Sequence, residues 1–259
     1  GDYALGNVYG SNVANLALVG GGIAILRPLH VGKLTIRREI PVMLAVEILL
    51  WPMFTGGHFP TYRAILLLGI FAGLISLTVW AARREGNRGQ LEAETVGSIK
   101  HVSHGLGMCI FLVVIGLVGL SLGAKMTVEG AIHLGEKIGL SKAVIGLTII
   151  AFGTSLPELV TCVVAALKGQ HDISVGNLVG SNIFNALLVV GGAGVVRSFD
   201  VSPTFAGGTY FWIMIGVSAG FAGLAIVGKR IIGRLGGVIL VCTYAAYIGY
   251  LVMHRSAAQ

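Results

Sequence analysis

Asp2-Tyr3-Ala4-Leu5-Gly6-Asn7-Val8-Tyr9-Gly10-Ser11-Asn12-Val13-Ala14-Asn15 stands at the head of the sequence. Asp172-Ile173-Ser174-Val175-Gly176-Asn177-Leu178-Val179-Gly180-Ser181-Asn182-Ile183-Phe184-Asn185 repeats it 170 residues later. Asp, Gly, Asn, Gly, Ser and two further Asn recur in register, and both copies run on into apolar residues that end in adjacent glycines. Shared composition can match glycines by chance but not this polar set. The chain therefore carries an internal repeat, and the repeat decides its architecture.

Around the two copies the chain is apolar: 55% of its 259 residues are hydrophobic and 11% are charged, against roughly 25% charged in a soluble domain. Apolar windows between polar breaks predict spans near 4–26, 40–56, 62–82, 105–125 or somewhat beyond, 141–168, 172–196, 205–227 and 235–253. A bilayer crossing takes ~20 apolar residues, so the expected fold class is an all-α polytopic membrane protein. The 40 glycines lie inside these runs, with only 6 prolines in the chain, as membrane helices tolerate. The one substantial hydrophilic stretch, 83–104, reads as an exposed loop. It divides a first part, 1–82, from a second, 105–259.

Lys and Arg orient the bundle. Arg27, Lys33, Arg37, Arg38, Arg83, Arg84, Arg88, Lys100, Lys168, Lys229, Arg230 and Arg234 fall on one side, while Arg63, Lys137, Lys142, Arg197 and Arg255 fall on the other. The richer side, which includes 83–104, is expected to be cytoplasmic, with both ends of the chain facing outward. The net charge of +7 then sets topology, and no nucleic-acid partner is expected. Five spans separate the two motif copies, an odd number, so the copies enter the membrane from opposite sides. That is an inverted-topology repeat, whose substrate site lies near the bilayer midplane at the repeat interface.

Ahead of the second copy, an apolar helix runs into Gly153-Thr154-Ser155-Leu156-Pro157-Glu158. Pro157 removes a backbone donor and crowds the preceding turn, so the helix should break into two half-helices. Carbonyls near Ala151 to Thr154 are left free, Thr154 or Ser155 caps the second half-helix, and Glu158 sits in its first turn. Carbonyls, hydroxyls and a carboxylate at membrane depth suit a hard cation such as Na⁺ or Ca²⁺. Imidazole and thiolate are missing from the stretch, which argues against zinc or copper. A carboxylate in mid-span costs about 2.5–3.5 kcal/mol on insertion scales and needs a cation, a proton or a buried partner. The plainer alternatives are a capping role for Glu158 and interhelical hydrogen bonding for Ser181, Asn182 and Asn185.

Gly-Thr-Ser-Leu-Pro-Glu followed by Gly-Asn-x-x-Gly-Ser-Asn-x-x-Asn resembles the alpha-repeat signature of the calcium/cation antiporter superfamily, especially prokaryotic sodium/calcium exchangers. The resemblance implies ten helices in two inverted halves of five, of which about eight are in this chain. It makes 1–82 the remainder of the first repeat and 105–259 the second, with its motif over 141–196. It implies secondary antiport of Ca²⁺ against Na⁺ by alternating access, with no cofactor, in a bacterial or archaeal plasma membrane. By position, Glu158 would ligate Ca²⁺ and Na⁺, Thr154 and Ala151 would offer carbonyls, and Ser155, Ser181 and Ser11 would offer hydroxyls. Asn15 and Asn185 would be the facing central residues. The long helix near 105–138 would slide to switch access.

Two departures stand beside this. Both central positions are Asn, where relatives often have an aspartate at one of them. A first Gly-Thr-Ser-x-Pro-Glu, due about nineteen residues before Asp2, is not in the sequence, so an N-terminally shortened exchanger is expected. Exchange of Ca²⁺ for H⁺ or of other cations, or an inactive fragment, are the alternatives. An intramembrane serine enzyme is not expected, because Gly153-Thr154-Ser155 departs from Gly-x-Ser-x-Gly and no histidine falls at midplane depth. Cys109, Cys162 and Cys242 lie in apolar segments with neither disulfide nor zinc spacing. No signal peptide is visible. Glu47 either lines a vestibule or pairs with a polar neighbour, and Lys125 and Glu129 are expected to pair one turn apart.

Overall fold

The computed structural model describes residues 2–96, 106–137, 153 and 155–255. Nearly all of these are helical, because a backbone in lipid must satisfy its own hydrogen bonds. The first run is α1 (Asp2–Val13), a π-helical stretch (Ala14–Gly20) and α2 (Gly21–Leu26). A second π-helical stretch (Thr35–Glu39) leads into α3 (Ile40–Phe54), and α4 (Thr61–Val96) and α5 (Leu106–Lys137) follow. Beyond them come α6 (Leu156–Leu167), α7 (His171–Phe184), a third π-helical stretch (Asn185–Val189), α8 (Val190–Val196), α9 (Thr209–Val227) and α10 (Arg234–Arg255). Among the described residues six runs are long and apolar enough to cross a membrane, and α6 is a shorter apolar helix. The chain is thus an all-α polytopic membrane protein. The first half of the expected 141–168 span lies outside the described residues, but its second half starts where the proline argument puts it, at Leu156 with Pro157 in the first turn.

One expectation needs correcting. Residues 83–96 are not loop but the continuation of α4. Polarity alone suggests a loop, yet Ala, Arg, Glu, Gln and Leu dominate this stretch and are strong helix formers. A polar helix leaving the membrane needs no apolar face. Residues 97–105 lie outside the described set.

The two halves interlock in equivalent ways. The Gly pair after each motif copy lets a neighbour close in. A Cβ on Gly21 would stand 2.9 Å from Leu240 Cβ and 3.0 Å from the Gly237 carbonyl oxygen, and one on Gly191 would stand 2.9 Å from Leu68 Cδ2. Hence α10 packs on α2 as α4 packs on α8, the close small-residue crossing that membrane helices favour. Two short antiparallel ribbons tie the halves at opposite ends. β1 (Leu29–His30) pairs with β4 (Ile231–Ile232), and β2 (His58–Phe59) pairs with β3 (Phe199–Asp200). Each is extended by one further bond, Val31 N–H to the Arg230 carbonyl and Val201 N–H to the Gly57 carbonyl, both 2.8 Å. At the first ribbon's end, Arg27 donates to the carbonyls of Ala166 and Leu167, which terminate α6. A cation there also complements the helix dipole.

Leu5, Tyr9, Leu178, Phe211 and Phe221 are fully buried between the halves, and α4 and α5 present exposed rows such as Ile65, Leu77, Trp80, Ile110 and Phe111. Outward apolar side chains are what a lipid-facing surface requires. On α5 the Lys125 and Glu129 side chains stand 3.8 Å apart, both exposed.

Candidate cation site at the repeat interface

Both motif copies change helical pitch at the same place. Val13 ends α1 and the π-helical turns begin at Ala14, with Asn15 in them; Phe184 ends α7 and the corresponding turns begin at Asn185. Such widened turns collect at functional sites. Here they carry the last motif asparagine of each copy.

The motif side chains then bond across the interface, copy to copy. Asn12 Nδ2 donates to the Asn182 carbonyl at 3.4 Å, and Asn182 Nδ2 donates to the Asn12 carbonyl at 3.2 Å. Asn15 Nδ2 donates to Asn182 Oδ1 at 3.1 Å, and Asn185 Nδ2 donates to Asn12 Oδ1 at 3.1 Å. Every one of these bonds has its counterpart with the copies exchanged. A further bond joins Asn185 Nδ2 to Ser11 Oγ at 3.2 Å, and Ser11 in turn donates to the Asn7 carbonyl at 2.7 Å. Asn12, Asn15 and Asn182 are buried, where an unpaired amide would cost about 1–3 kcal/mol. Pairing across the axis removes that cost and fixes the register of the halves.

Of the residues singled out in the sequence, Ser11, Asn15 and Asn185 join this network. Asn15 and Asn185 do not meet each other there; each meets the other copy's preceding asparagine. Ser181 is half-buried beside Asn182. Ser155 is the N-cap of α6, and Glu158 lies in its first turn, where free amides and the helix dipole favour negative charge. The helix packs on α7, on α2 and on the π-helical stretch carrying Asn15. Ala151 and Thr154 lie outside the described residues.

Among the described residues, Glu158 Oε2, Ser155 Oγ and Asn15 Oδ1 are buried and have no hydrogen-bond partner. Buried polar atoms are normally paired. A carboxylate, a hydroxyl and an amide oxygen are hard donors, suited to Ca²⁺ or Na⁺.

Sequence reasoning gives no role to Asn12, although it is identical in both motif copies, or to Ser218, whereas the interhelical bonding considered for Asn182 and the polar neighbour considered for Glu47 are both found. Glu47 lines no vestibule. It is fully buried, and its Oε1 accepts from Asn12 Nδ2 at 3.1 Å and Asn182 Nδ2 at 3.5 Å.

The family described as sodium/calcium exchanger protein matches residues 1–80 and 108–253. A protein of Alkalimonas amylolytica named as a candidate antiporter, CaxA, is 34% identical over 251 residues, covering 96% of this chain and 77% of that protein. The inner membrane protein YrbG of Escherichia coli K12 is 32% identical over 252 residues, with the same coverage of 96% and 77%. Among solved structures, the sodium-calcium exchanger NCX_Mj superposes with a TM-score of 0.73 at 27% identity, covering 95% of this chain and 76% of that one.

Proposed function

Because this chain belongs to the sodium/calcium exchanger protein family and so to the membrane cation exchangers, we propose that it exchanges Ca²⁺ for Na⁺ by alternating access. The observation that carries this reading is the trio of buried, unpartnered oxygens, Glu158 Oε2, Ser155 Oγ and Asn15 Oδ1. The cation is the substrate, held by Glu158 with Ser155 and Asn15, and by the Ala151 and Thr154 carbonyls. Ser11, Ser181 and Asn185 complete the set from the two motif copies. Glu158 supplies the charge, while the amides and hydroxyls supply neutral oxygens that replace water in the ion's shell.

Antiport follows if Ca²⁺ and Na⁺ compete for these overlapping oxygens and the site opens to one side only when filled. The paired asparagines keep the site's walls in register, and α5 is the element that moves. At ~1.5 Å per residue its 32 residues overreach the ~30 Å hydrocarbon core. Its described surface is mostly exposed, so few contacts have to break when it slides.

The test is Ca²⁺ uptake into proteoliposomes under an imposed Na⁺ gradient. Uptake should require the gradient, and Glu158→Gln should reduce it at least 100-fold, or about 2.7 kcal/mol. Uptake that ignores the gradient sinks the Na⁺ coupling, and uptake untouched by Glu158→Gln sinks the site.

A further inference from the structure

Glu47 of α3 is a fully buried carboxyl at the contact between the two motif copies. Its Oε1 accepts from the equivalent amides of the two copies, Asn12 Nδ2 and Asn182 Nδ2. Among the described residues its Oε2 and Ser218 Oγ of α9 are buried and take part in no other hydrogen bond, and the Ser218 hydroxyl stands close enough to the carboxyl to pair with it. Thus one oxygen is a saturated acceptor and the other faces a lone hydroxyl.

Among the described residues no cationic side chain is one of its partners. Among the described residues Tyr9 of α1 is the titratable group near enough to interact with it, α7 and α9 bring Asn182 and Ser218, and the Asn185–Val189 stretch holds no titratable residue. Arg37, Arg38 and Glu39 sit eight or more residues back along the helix, ~12 Å or further at 1.5 Å per residue. His58 lies exposed beyond the other end of α3. An ionised carboxylate so enclosed carries an uncompensated charge, which membrane interiors penalise. The amides bring partial charge only.

We propose that Glu47 is a proton-binding site: it stands as a neutral carboxylic acid whose Oε2–H donates to Ser218 Oγ while Oε1 accepts from Asn12 and Asn182. The proton comes from a hydronium ion of the surrounding water: one O–H bond breaks there, leaving H₂O, and one forms at Oε2. In this form the carboxyl links α1, α3, α7 and α9 without charge. When the proton leaves, a negative charge appears beside the motif asparagines. By linkage it raises the affinity of the neighbouring site for cations as pH rises. This last consequence rests on the proposed exchange activity; the protonation itself does not.

Gln is the isostere of the neutral acid, with its carbonyl toward the two amides and its NH₂ toward Ser218. Glu47→Gln should therefore keep the melting temperature of the wild type, whereas Glu47→Ala should lower it. In infrared difference spectra at neutral pH, wild type minus Glu47→Gln should show a protonated-carboxyl carbonyl band. Glu158→Gln should leave that band in place. If Glu47→Gln does not fold, Glu47→Asp assigns the band by moving it. Carboxylate bands without the acid carbonyl overturn the proposal, as does a Glu47→Gln protein that melts as low as Glu47→Ala. In proteoliposomes, Ca²⁺ affinity should rise with pH in the wild type and stay flat in Glu47→Gln. The acid band without any Ca²⁺ uptake would count against the exchange reading while leaving the proton site standing.

Discussion

The first half of the molecule and the second present the same asparagines to each other, but not the same neighbours behind them. Asn12 and Asn182 exchange equivalent bonds, as do Asn15 and Asn185. Behind the pair, the first half places the carboxyl of Glu47 on α3 and the second the hydroxyl of Ser218 on α9. The symmetric layer is what a repeat interface needs to hold two inverted units in register. The asymmetric layer breaks the equivalence at full burial, where polar groups are costly to keep, so it marks where the halves have taken different tasks. The carboxyl groups divide likewise: Glu158 stands in the first turn of a half-helix, while one oxygen of Glu47 is held by two amides and the other lies beside Ser218.

The comparison breaks most severely at the asparagines. Asn182→Leu leaves Asn15 Nδ2 without its acceptor and removes the longer of the two bonds to Glu47, while Asn12→Leu removes the shorter bond to Glu47 but leaves Asn185 Nδ2 its bond to Ser11 Oγ. At about 1–3 kcal/mol for each buried polar group left unpaired, each variant should lose several kcal/mol. Asn182→Leu should lose more, because it leaves the buried Asn15 amide with no acceptor, seen as the lower melting temperature by heat-induced loss of the monodisperse peak in detergent. Equal losses would mean that the shorter bond from Asn12 to Glu47 is worth as much as the amide that Asn182→Leu leaves unpaired.

Next in size are the close crossings. An added methyl on Gly21 meets Leu240 Cβ and the Gly237 backbone, and on Gly191 it meets chiefly the far end of the Leu68 side chain. A side-chain tip can rotate away where backbone cannot. Gly21→Ala should cost about 1–3 kcal/mol, as overpacking does, and Gly191→Ala distinctly less. The same melting assay orders them, and a reversed order would show that α10 yields more readily than α4.

Much of this was legible in the sequence. The repeat carried the inverted architecture, and Pro157 located the half-helix. The motif gave Ser11, Asn15 and Asn185. What escaped it depends on groups brought together from distant positions. Glu47 was ambiguous because a carboxylate in an apolar run has one meaning in a vestibule and another against two amides, and only the packing of α1, α3 and α7 separates these. Ser218 carries no signal at all among small residues of an apolar helix. The helical extension of α4 to Val96 was missed because hydropathy measures where a segment sits, whereas helix propensity measures what it does there.

The smallest effect compares the two ribbons. The turn before β2 uses Gly56 and Gly57 at φ of 93° and 73°, and the turn before β4 uses Lys229 and Arg230 at 51° and 75°. Both chains must pass through the left-handed region to bring a carbonyl, Gly57 in one and Arg230 in the other, to its bond with Val201 or Val31. Only glycine does so freely; an L side chain there costs roughly 1–2 kcal/mol. A Cβ on Gly56 would meet nothing within 4 Å, so Gly56→Ala isolates the backbone cost and should destabilise by about 1 kcal/mol. Arg230→Gly should stabilise, by less than that, because glycine also gains freedom in the unfolded chain. Paired melting curves decide it: opposite signs support backbone strain confined to the second half, and a loss for Arg230→Gly would mean that its side chain contributes more than its conformation costs.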